Sequence, residues 1–195
     1  MRIYSLDSKP FGLTFEEWCI KWWQWLLMIP KPINPTNDHT GQNASTGQTD
    51  SNVFFLCQTI ENVGQFPTRN VTIPKGRSIF MPILNWISDS YNHGKTQSEL
   101  SQVAREKIDV IENLEFKLDG TKIQGLERYR VLSGLFTVEL PENNILNLPA
   151  GQACFISDGY WLFAGPILKD IVISTFGSCS NGITKIGITY FLSSM

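Results

Sequence analysis

The sequence predicts a mainly β protein with a minor α-helical part, built as an antiparallel β-sandwich or a jelly-roll-like fold. Many short apolar runs are separated by turn residues, and several of these runs alternate between apolar and polar side chains. Strands and helices do not alternate regularly along the sequence, so a doubly wound parallel sheet is not expected. We therefore expect one domain over residues 1–195, a length at which a single core buries roughly 70% of the unfolded surface.

A tryptophan-rich helix is predicted over residues 14–29. Thr14 and Glu17 form a capping box at its start, and Pro30 ends it. Large apolar side chains recur at helical spacing, so we expect them to pack against the strands. Trp23 lies off this stripe and is the candidate for a contact with a partner. The stripe consists of Phe15, Trp18, Trp22, Trp25 and Ile29.

A second helix is predicted over about residues 97–112, where Thr96 and Glu99 form another capping box. Its apolar residues fall on one face, so this amphipathic helix is expected to cross over and cap the strands. That face contains Leu100, Val103, Ala104, Ile108 and Ile111.

The C-terminal half of the chain is predicted to consist mainly of strands. A hairpin over residues 114–124 turns at Asp119 and Gly120, a pair that suits positive φ angles. A further turn is expected at Asp158 and Gly159, because the same residue pair separates two apolar runs. The remaining predicted strands are Tyr129–Leu140, Gln152–Ile156, Gly159–Ala164, Asp170–Phe176 and Gly182–Leu192.

Composition excludes several classes of protein. The chain has 16 Lys and Arg against 18 Asp and Glu, and its pI is about 5.7, so we expect no nucleic-acid partner. The longest apolar stretch, Trp18–Ile29, is shorter than the roughly 20 residues of a membrane span, so no integral membrane segment is expected. The N-terminus carries no signal-peptide pattern, which indicates a cytoplasmic protein.

The four cysteines are widely spaced and are expected to remain free. The absence of paired cysteines, together with only two histidines, argues against a zinc site. Asp38 and His39, with Asp89 and His93, supply ligand types but no helical spacing, so no metal is predicted. Asp38 is instead expected to accept backbone hydrogen bonds in an Asx-type turn.

Three neighbouring residues form a candidate binding cluster. Asp158, Tyr160 and Trp161 adjoin the predicted turn, where the aromatic rings would stack on a sugar or contact a partner. The alternative is that these aromatic side chains enter the core.

Asn85 is a further candidate for the binding site. It ends the strand after the turn Pro74-Lys75-Gly76, and this arrangement is like that of cupins, but the metal-binding histidines of cupins are missing.

No catalytic or cofactor signature is present, so we predict no cofactor and favour a non-enzymatic binding or structural protein. Self-association is one expectation, because the large apolar side chains are numerous for one small core. A protein or a glycan is the other expected partner. The alternative is a hydrolase-like enzyme that acts on a saccharide or another polar small substrate through loop carboxylates near Asp38 and Asp158.

Motifs along nearly the whole chain resemble a family of uncharacterised, mostly secreted microbial proteins. The helix carries the pattern E-W-x-x-x-W-W-x-W, and an N-P-x-x-D-x-T-G loop and an S-D-G-Y-W segment follow in the same order. The resemblance implies a β-sandwich with a helical N-terminus and an extracellular location, and it implies no established activity. The matching residues include Glu17, Trp18, Trp22, Trp23, Trp25, Asn34, Pro35, Asp38, Thr40, Gly41 and Ser157–Trp161.

The chain departs from this family at two positions. Where the family pattern has two cysteines, which the resemblance implies to be a disulfide pair, this sequence has Ala44 and Asn70. Loss of both cysteines fits a reducing cytoplasm.

Overall fold

The structure is a computed structural model and describes residues 1–59, 66–180 and 185–195. Two α-helices and the strands of two sheets make up most of it, and short 3₁₀ turns lie at Pro10–Gly12, Lys31–Ile33, Pro35–Asn37 and Leu126–Tyr129. The helices are α1 (Phe15–Met28) and α2 (Gln97–Asp109). The strands are β1 (Arg2–Ile3), β2 (Val53–Phe55), β3 (Thr68–Ile73), β4 (Ser78–Asp89), β5 (Ile111–Leu118), β6 (Thr121–Lys122), β7 (Arg130–Leu132), β8 (Phe136–Leu140), β9 (Gly151–Gly165), β10 (Ile171–Cys179) and β11 (Lys185–Ser194).

The fold is mainly β with a minor α part, as the sequence predicts, but its sheets are mixed and not purely antiparallel. In the first sheet the order is β1-β9-β4-β2, and β7 and β8 also pair with β9. The second sheet has the order β3-β11-β10-β5-β6. The β2–β4 and β11–β3 pairs are parallel, because each of these neighbours is reached by a long connection and not by a hairpin.

Two apolar cores lie on opposite faces of the first sheet. On one face, Phe80, Trp161 and Phe163 pack against α1. On the other face, Met81 and Leu162 pack against residues of the second sheet such as Ile173. Alternation of side chains along β4 and β9 supplies both cores. The described residues therefore form three layers: helix, sheet and sheet.

The tryptophans of α1 are buried, which confirms the expectation that they pack against the strands. Trp18, Trp22, Trp23 and Trp25 are between 1% and 6% exposed. Each indole N–H donates a hydrogen bond, and three of the acceptors are backbone carbonyls of Pro10, Leu56 and Thr46. The capping box at Thr14 and Glu17 is also present.

The second helix packs against the first sheet, where its apolar face meets Ile156 of β9. Its predicted capping box at Thr96 forms, and Leu100, Ala104 and Ile108 are buried. The helix ends at Asp109, three residues earlier than predicted, because Ile111 opens strand β5 and pairs with Cys179. Since α2 joins β4 of the first sheet to β5 of the second, it is a crossover between the two sheets.

The turn predicted at Asp158 and Gly159 is wrong: both residues lie inside the continuous strand β9. Gly159 faces Asn85 across the β4–β9 pair, and a Cβ atom on it would lie 2.5 Å from the Cβ of Asn85. The glycine therefore permits a close approach of two strands and does not mark a reversal. A register shift between Pro82 and Leu84 lies on the facing strand.

Other strand predictions differ in extent. The hairpin of β5 and β6 forms with positive φ at Asp119 and Gly120, as predicted. The predicted strand Tyr129–Leu140 is divided into β7 and β8, since Ser133 and Gly134 interrupt it and bond to Ser157 and Glu16. The first part of the predicted strand Gly182–Leu192 lies outside the described residues.

Candidate functional site

A groove of about 500 Å³ runs between α1 and the segment that precedes β2. It is half-open to solvent and does not form an enclosed cavity. One wall is the face of α1, and the other is the loop that precedes β2. The α1 wall consists of Lys21, Gln24, Trp25 and Met28, followed by Ile29 directly after the helix, and the remainder is lined by Gly47, Thr49, Asp50 and Phe55.

The backbone of the loop wall is held against side chains of the helix and of Ile29. The indole N–H of Trp25 donates to the carbonyl of Thr46 at 2.9 Å. Gly47 has φ +66°, and a Cβ atom there would lie 3.2 Å from Ile29 and 3.3 Å from Trp25. The close approach of loop and helix therefore requires glycine at this position.

Gln48 fixes the same loop to the edge of the first sheet. Its side-chain amide donates to the carbonyl of Phe55 at 2.8 Å and accepts from the N–H of Phe55 at 3.0 Å. It also donates to the carbonyl of Ala44. The side chain therefore pairs with Phe55 as a neighbouring strand would.

The floor of the groove is aromatic and its rim carries opposite charges. Trp25 and Phe55 have ring centroids 5.4 Å apart and are only 6% and 7% exposed. Met28 is 52% exposed and lies within reach of a bound molecule. Lys21 and Asp50 are part of the same lining. The arrangement is suited to an apolar group flanked by charged or polar groups.

None of the six residues singled out from the sequence lines this groove. Trp23, the candidate for a partner contact, is 4% exposed and donates from its indole N–H to Ser157 Oγ at 2.6 Å. It is buried because β9 covers the side of α1 that lies off the tryptophan stripe. Trp161 is fully buried and stacks on Phe80 with ring centroids 5.2 Å apart.

Asp158 is fully buried and paired with Arg130. The guanidinium of Arg130 donates from Nη2 to Asp158 Oδ2 at 2.6 Å, and its Nε lies 3.1 Å from both carboxylate oxygens. Arg130 Nη1 also contacts Asp109 on α2 at 2.7 Å. The hydrogen bond to Asp158 raises the pKa of Arg130 above its usual value. This carboxylate therefore ties β9 to β7 and α2.

Asn85 and Tyr160 lie beside Asp158 along the β4–β9 pair, and none of the three lines the groove. Asn85 pairs with Gly159, and Tyr160 pairs with Leu84. Tyr160 is half-buried against the core between the two sheets. The amide nitrogen of Asn85 is buried without a hydrogen-bond partner among the described residues.

Asp38 forms the Asx-type turn predicted for it. Its Oδ1 accepts from the backbone N–H and the hydroxyl of Thr40, and its Oδ2 accepts from the N–H of Asn43 at 2.8 Å. Burial alone would raise the pKa of Asp38, but hydrogen bonds from Asn43 and Thr40 outweigh this effect and lower it. Both carboxylate oxygens are thus used to fold the loop.

The lowered pKa of Asp38 predicts an acid-sensitive contribution to stability. Since the folded-state pKa lies below the unfolded value of about 3.9, this contribution is present above that value and is lost as pH falls through the folded-state pKa. We expect Asp38→Asn to lower the free energy of unfolding by about 1–2 kcal/mol at pH 7. The variant should then lose less stability than the wild type between pH 7 and pH 3 in thermal denaturation.

The exposed substitution Glu127→Gln is the control for the acid experiment, and its loss of stability between the two pH values should follow that of the wild type. An equal loss in the wild type and in Asp38→Asn would show that the turn does not depend on the ionised carboxylate.

The cysteines are free, and two of them are poor candidates for nucleophiles. Burial raises the pKa of the thiols of Cys19 and Cys57, so the thiolate is disfavoured. Within the described ranges, no group of three or more His, Cys, Asp or Glu side chains is placed to hold a metal ion. Neither helix of the described chain has the length and apolar character to span a bilayer.

Comparison with known proteins does not assign a family. No protein-family model matches the chain, and no curated protein matches it. Among solved structures, the chain is similar to one described as the structure of PbICP-C in complex with falcipain-2. The TM-score is 0.30 with 8% sequence identity, over 74% of this chain and 99% of that chain. A similarity of this size carries no argument about function.

Sequence reasoning missed the groove, although one signal was present. Lys21, Gln24, Trp25 and Met28 recur at i, i+3, i+4 and i+7, so they share one face of α1. The polar members of that face indicate that part of the helix is not covered by the strands. The opposite wall had no such signal, because its position depends on the contacts of Gln48 and Trp25.

Proposed function

We propose that this protein is a non-catalytic interaction module that binds an extended peptide segment of a partner protein in the groove between α1 and residues 47–50. The proposal rests on one observation: a half-open groove of about 500 Å³ combines an apolar floor with opposite charges on its rim. Its volume is within the usual range for ligand sites.

A peptide fits the lining better than a sugar does. Trp25 and Phe55 are almost fully buried, so they support the floor from below and present no open ring face on which a sugar would stack. The accessible apolar side chain of the lining is that of Met28. Met28 is exposed, and its flexible side chain adapts to varied apolar partners. Lys21 and Asp50 complement a segment that carries an apolar anchor with an acidic residue on one side and a basic residue on the other, although Asp50 Oδ1 also accepts from the N–H groups of Asn52 and Val53.

The roles of the carboxylates also favour binding over hydrolysis. Asp38 and Asp158, near which the hydrolase alternative placed its loop carboxylates, are engaged by backbone N–H groups and by Arg130 respectively. We also infer that the chain is a member of the family with the E-W-x-x-x-W-W-x-W helix. We further infer that the protein is located in a reducing compartment, and the four free thiols support this location.

Selection from a phage-displayed library of random dodecapeptides tests the proposed function. Peptides enriched on the wild type should carry one apolar anchor between charged residues. Met28→Glu places a charge in the groove and should weaken their binding by at least tenfold, as measured by fluorescence polarisation. Leu168→Glu also places a glutamate at an exposed apolar side chain, but outside the groove lining, and should leave binding unchanged. Leu168 is 61% exposed.

Two results would contradict the proposal. One is that no peptide is enriched, and the other is that Met28→Glu binds the enriched peptides as the wild type does. A parallel panel of soluble oligosaccharides distinguishes the chemical classes. Saccharide binding that is lost in Met28→Glu would replace the peptide by a glycan.

A further inference from the structure

Arg69 is a cation buried in the protein interior. It lies on β3, is 1% exposed, and faces Tyr190 of the neighbouring strand β11. Its Nη1 donates to the carbonyl of Cys57 at 2.8 Å and to the hydroxyl of Tyr190 at 2.6 Å, and lies 3.6 Å from Cys57 Sγ. All of these contacts use one nitrogen of the guanidinium.

The other two nitrogens of Arg69 are unpartnered. Nε and Nη2 are buried and have no hydrogen-bond partner within residues 1–59, 66–180 and 185–195, and no carboxylate of those ranges forms an ion pair with Arg69. The hydroxyl of Thr59 is also buried and has no hydrogen-bond partner among the described residues. Thr59 follows Cys57 by two residues, so their Cα atoms lie at most about 7 Å apart.

The free nitrogens form one edge of the guanidinium. Along that edge, Nε–H and one N–H of Nη2 point in parallel, which is the geometry that binds the two oxygens of a carboxylate. A buried charge without a counter-ion is strongly unfavourable, and an unpaired buried donor is rare in folded proteins. The uncompensated charge and the two free donors together favour an acceptor with negative charge.

We infer that Arg69 is the base of an internal anion site that binds a small carboxylate through Nε and Nη2. The ligand is small because Arg69 is only 1% exposed and its guanidinium lies against Cys57 and Tyr190. The ligand is a planar oxyanion because the two parallel N–H donors match the two oxygens of a carboxylate one to one. A chloride ion presents a single acceptor atom to both donors. This site shares no residue with the groove lining, so it does not depend on the proposed function.

Titration with [13C]formate tests the site. In the wild type, the formate resonance should broaden saturably, and Tm should rise with formate concentration but not with sodium chloride at equal ionic strength. Arg69→Lys keeps the charge but removes the parallel donors, and should bind formate at least tenfold more weakly. Arg128→Met removes an exposed guanidinium and should leave formate binding unchanged.

Absence of saturable formate binding by the wild type would overturn the inference, and so would equal binding by Arg69→Lys. Glu61→Gln tests whether a carboxylate of the chain itself, outside the described residues, fills the site. If only that variant binds formate, the free-anion site is refuted. Should Arg69→Lys fail to fold, the comparison of formate with chloride on the wild type still decides the question.

Discussion

Trp161→Ala is expected to lower the free energy of unfolding by about 3–5 kcal/mol, the largest effect that we predict for a single side chain in the core. Trp161 is fully buried between α1 and the first sheet, stacked on Phe80 and 5.1 Å from the ring of Trp22. Its indole N–H has no hydrogen-bond partner among the described residues, so the loss is one of packing. Equilibrium denaturation in urea measures it.

The matched control is Trp86→Ala on the neighbouring strand. Trp86 is 38% exposed, with Lys107 Nζ 5.2 Å from its ring centroid, and its truncation should cost about 1 kcal/mol or less. If both variants lost the same small amount, the packing of α1 on the first sheet would not be the main source of stability.

Arg130→Met is expected to destabilise the protein by about 3–5 kcal/mol, because it leaves the fully buried carboxylate of Asp158 without its partner. The same guanidinium also contacts the carboxylate of Asp109, and the side chain of Asp109 is 59% exposed. Asp109→Asn should therefore cost less than about 1 kcal/mol. Chemical denaturation of both variants separates the buried contact from the exposed one.

The double variant Arg130→Met with Asp158→Leu completes the experiment. Removal of both charges relieves the unpaired carboxylate, so most of the stability lost in Arg130→Met should return. A double variant that is no more stable than Arg130→Met would show that the contact acts through the shape of these side chains and not through charge.

The parts of the fold that depend on local chemistry are predictable from the sequence. Thr14 and Thr96 begin α1 and α2 through capping boxes within four residues of chain, and Asp119 with Gly120 forms a hairpin turn by its own backbone preference. Asp158 and Gly159 carry the same signal but lie in a strand. The reason is remote, since Arg130 pairs with the carboxylate and Asn85 packs on the glycine.

The sites were harder to predict than the fold. Arg69 and Tyr190 are separated by 121 positions, and no local pattern indicates that they meet on neighbouring parallel strands. The wall of the groove likewise depends on Gln48, whose side chain is placed by contacts to Ala44 and Phe55. Trp23 is a candidate for a partner contact by its position off the helical stripe, but α1 is covered on more than one side and Trp23 is buried.

We expect the contacts of Gln48 to limit pairing of the edge strand β2 with another molecule. Strand β2 lies at the edge of its sheet and has the sequence Val-Phe-Phe, with neither lysine nor proline to discourage pairing with another molecule. Side chains instead occupy its outward backbone groups: Asp50 binds the N–H of Val53, and Gln48 binds both groups of Phe55. The chain's own amide and carboxylate groups therefore occupy the backbone positions that a further strand would otherwise bind at this edge.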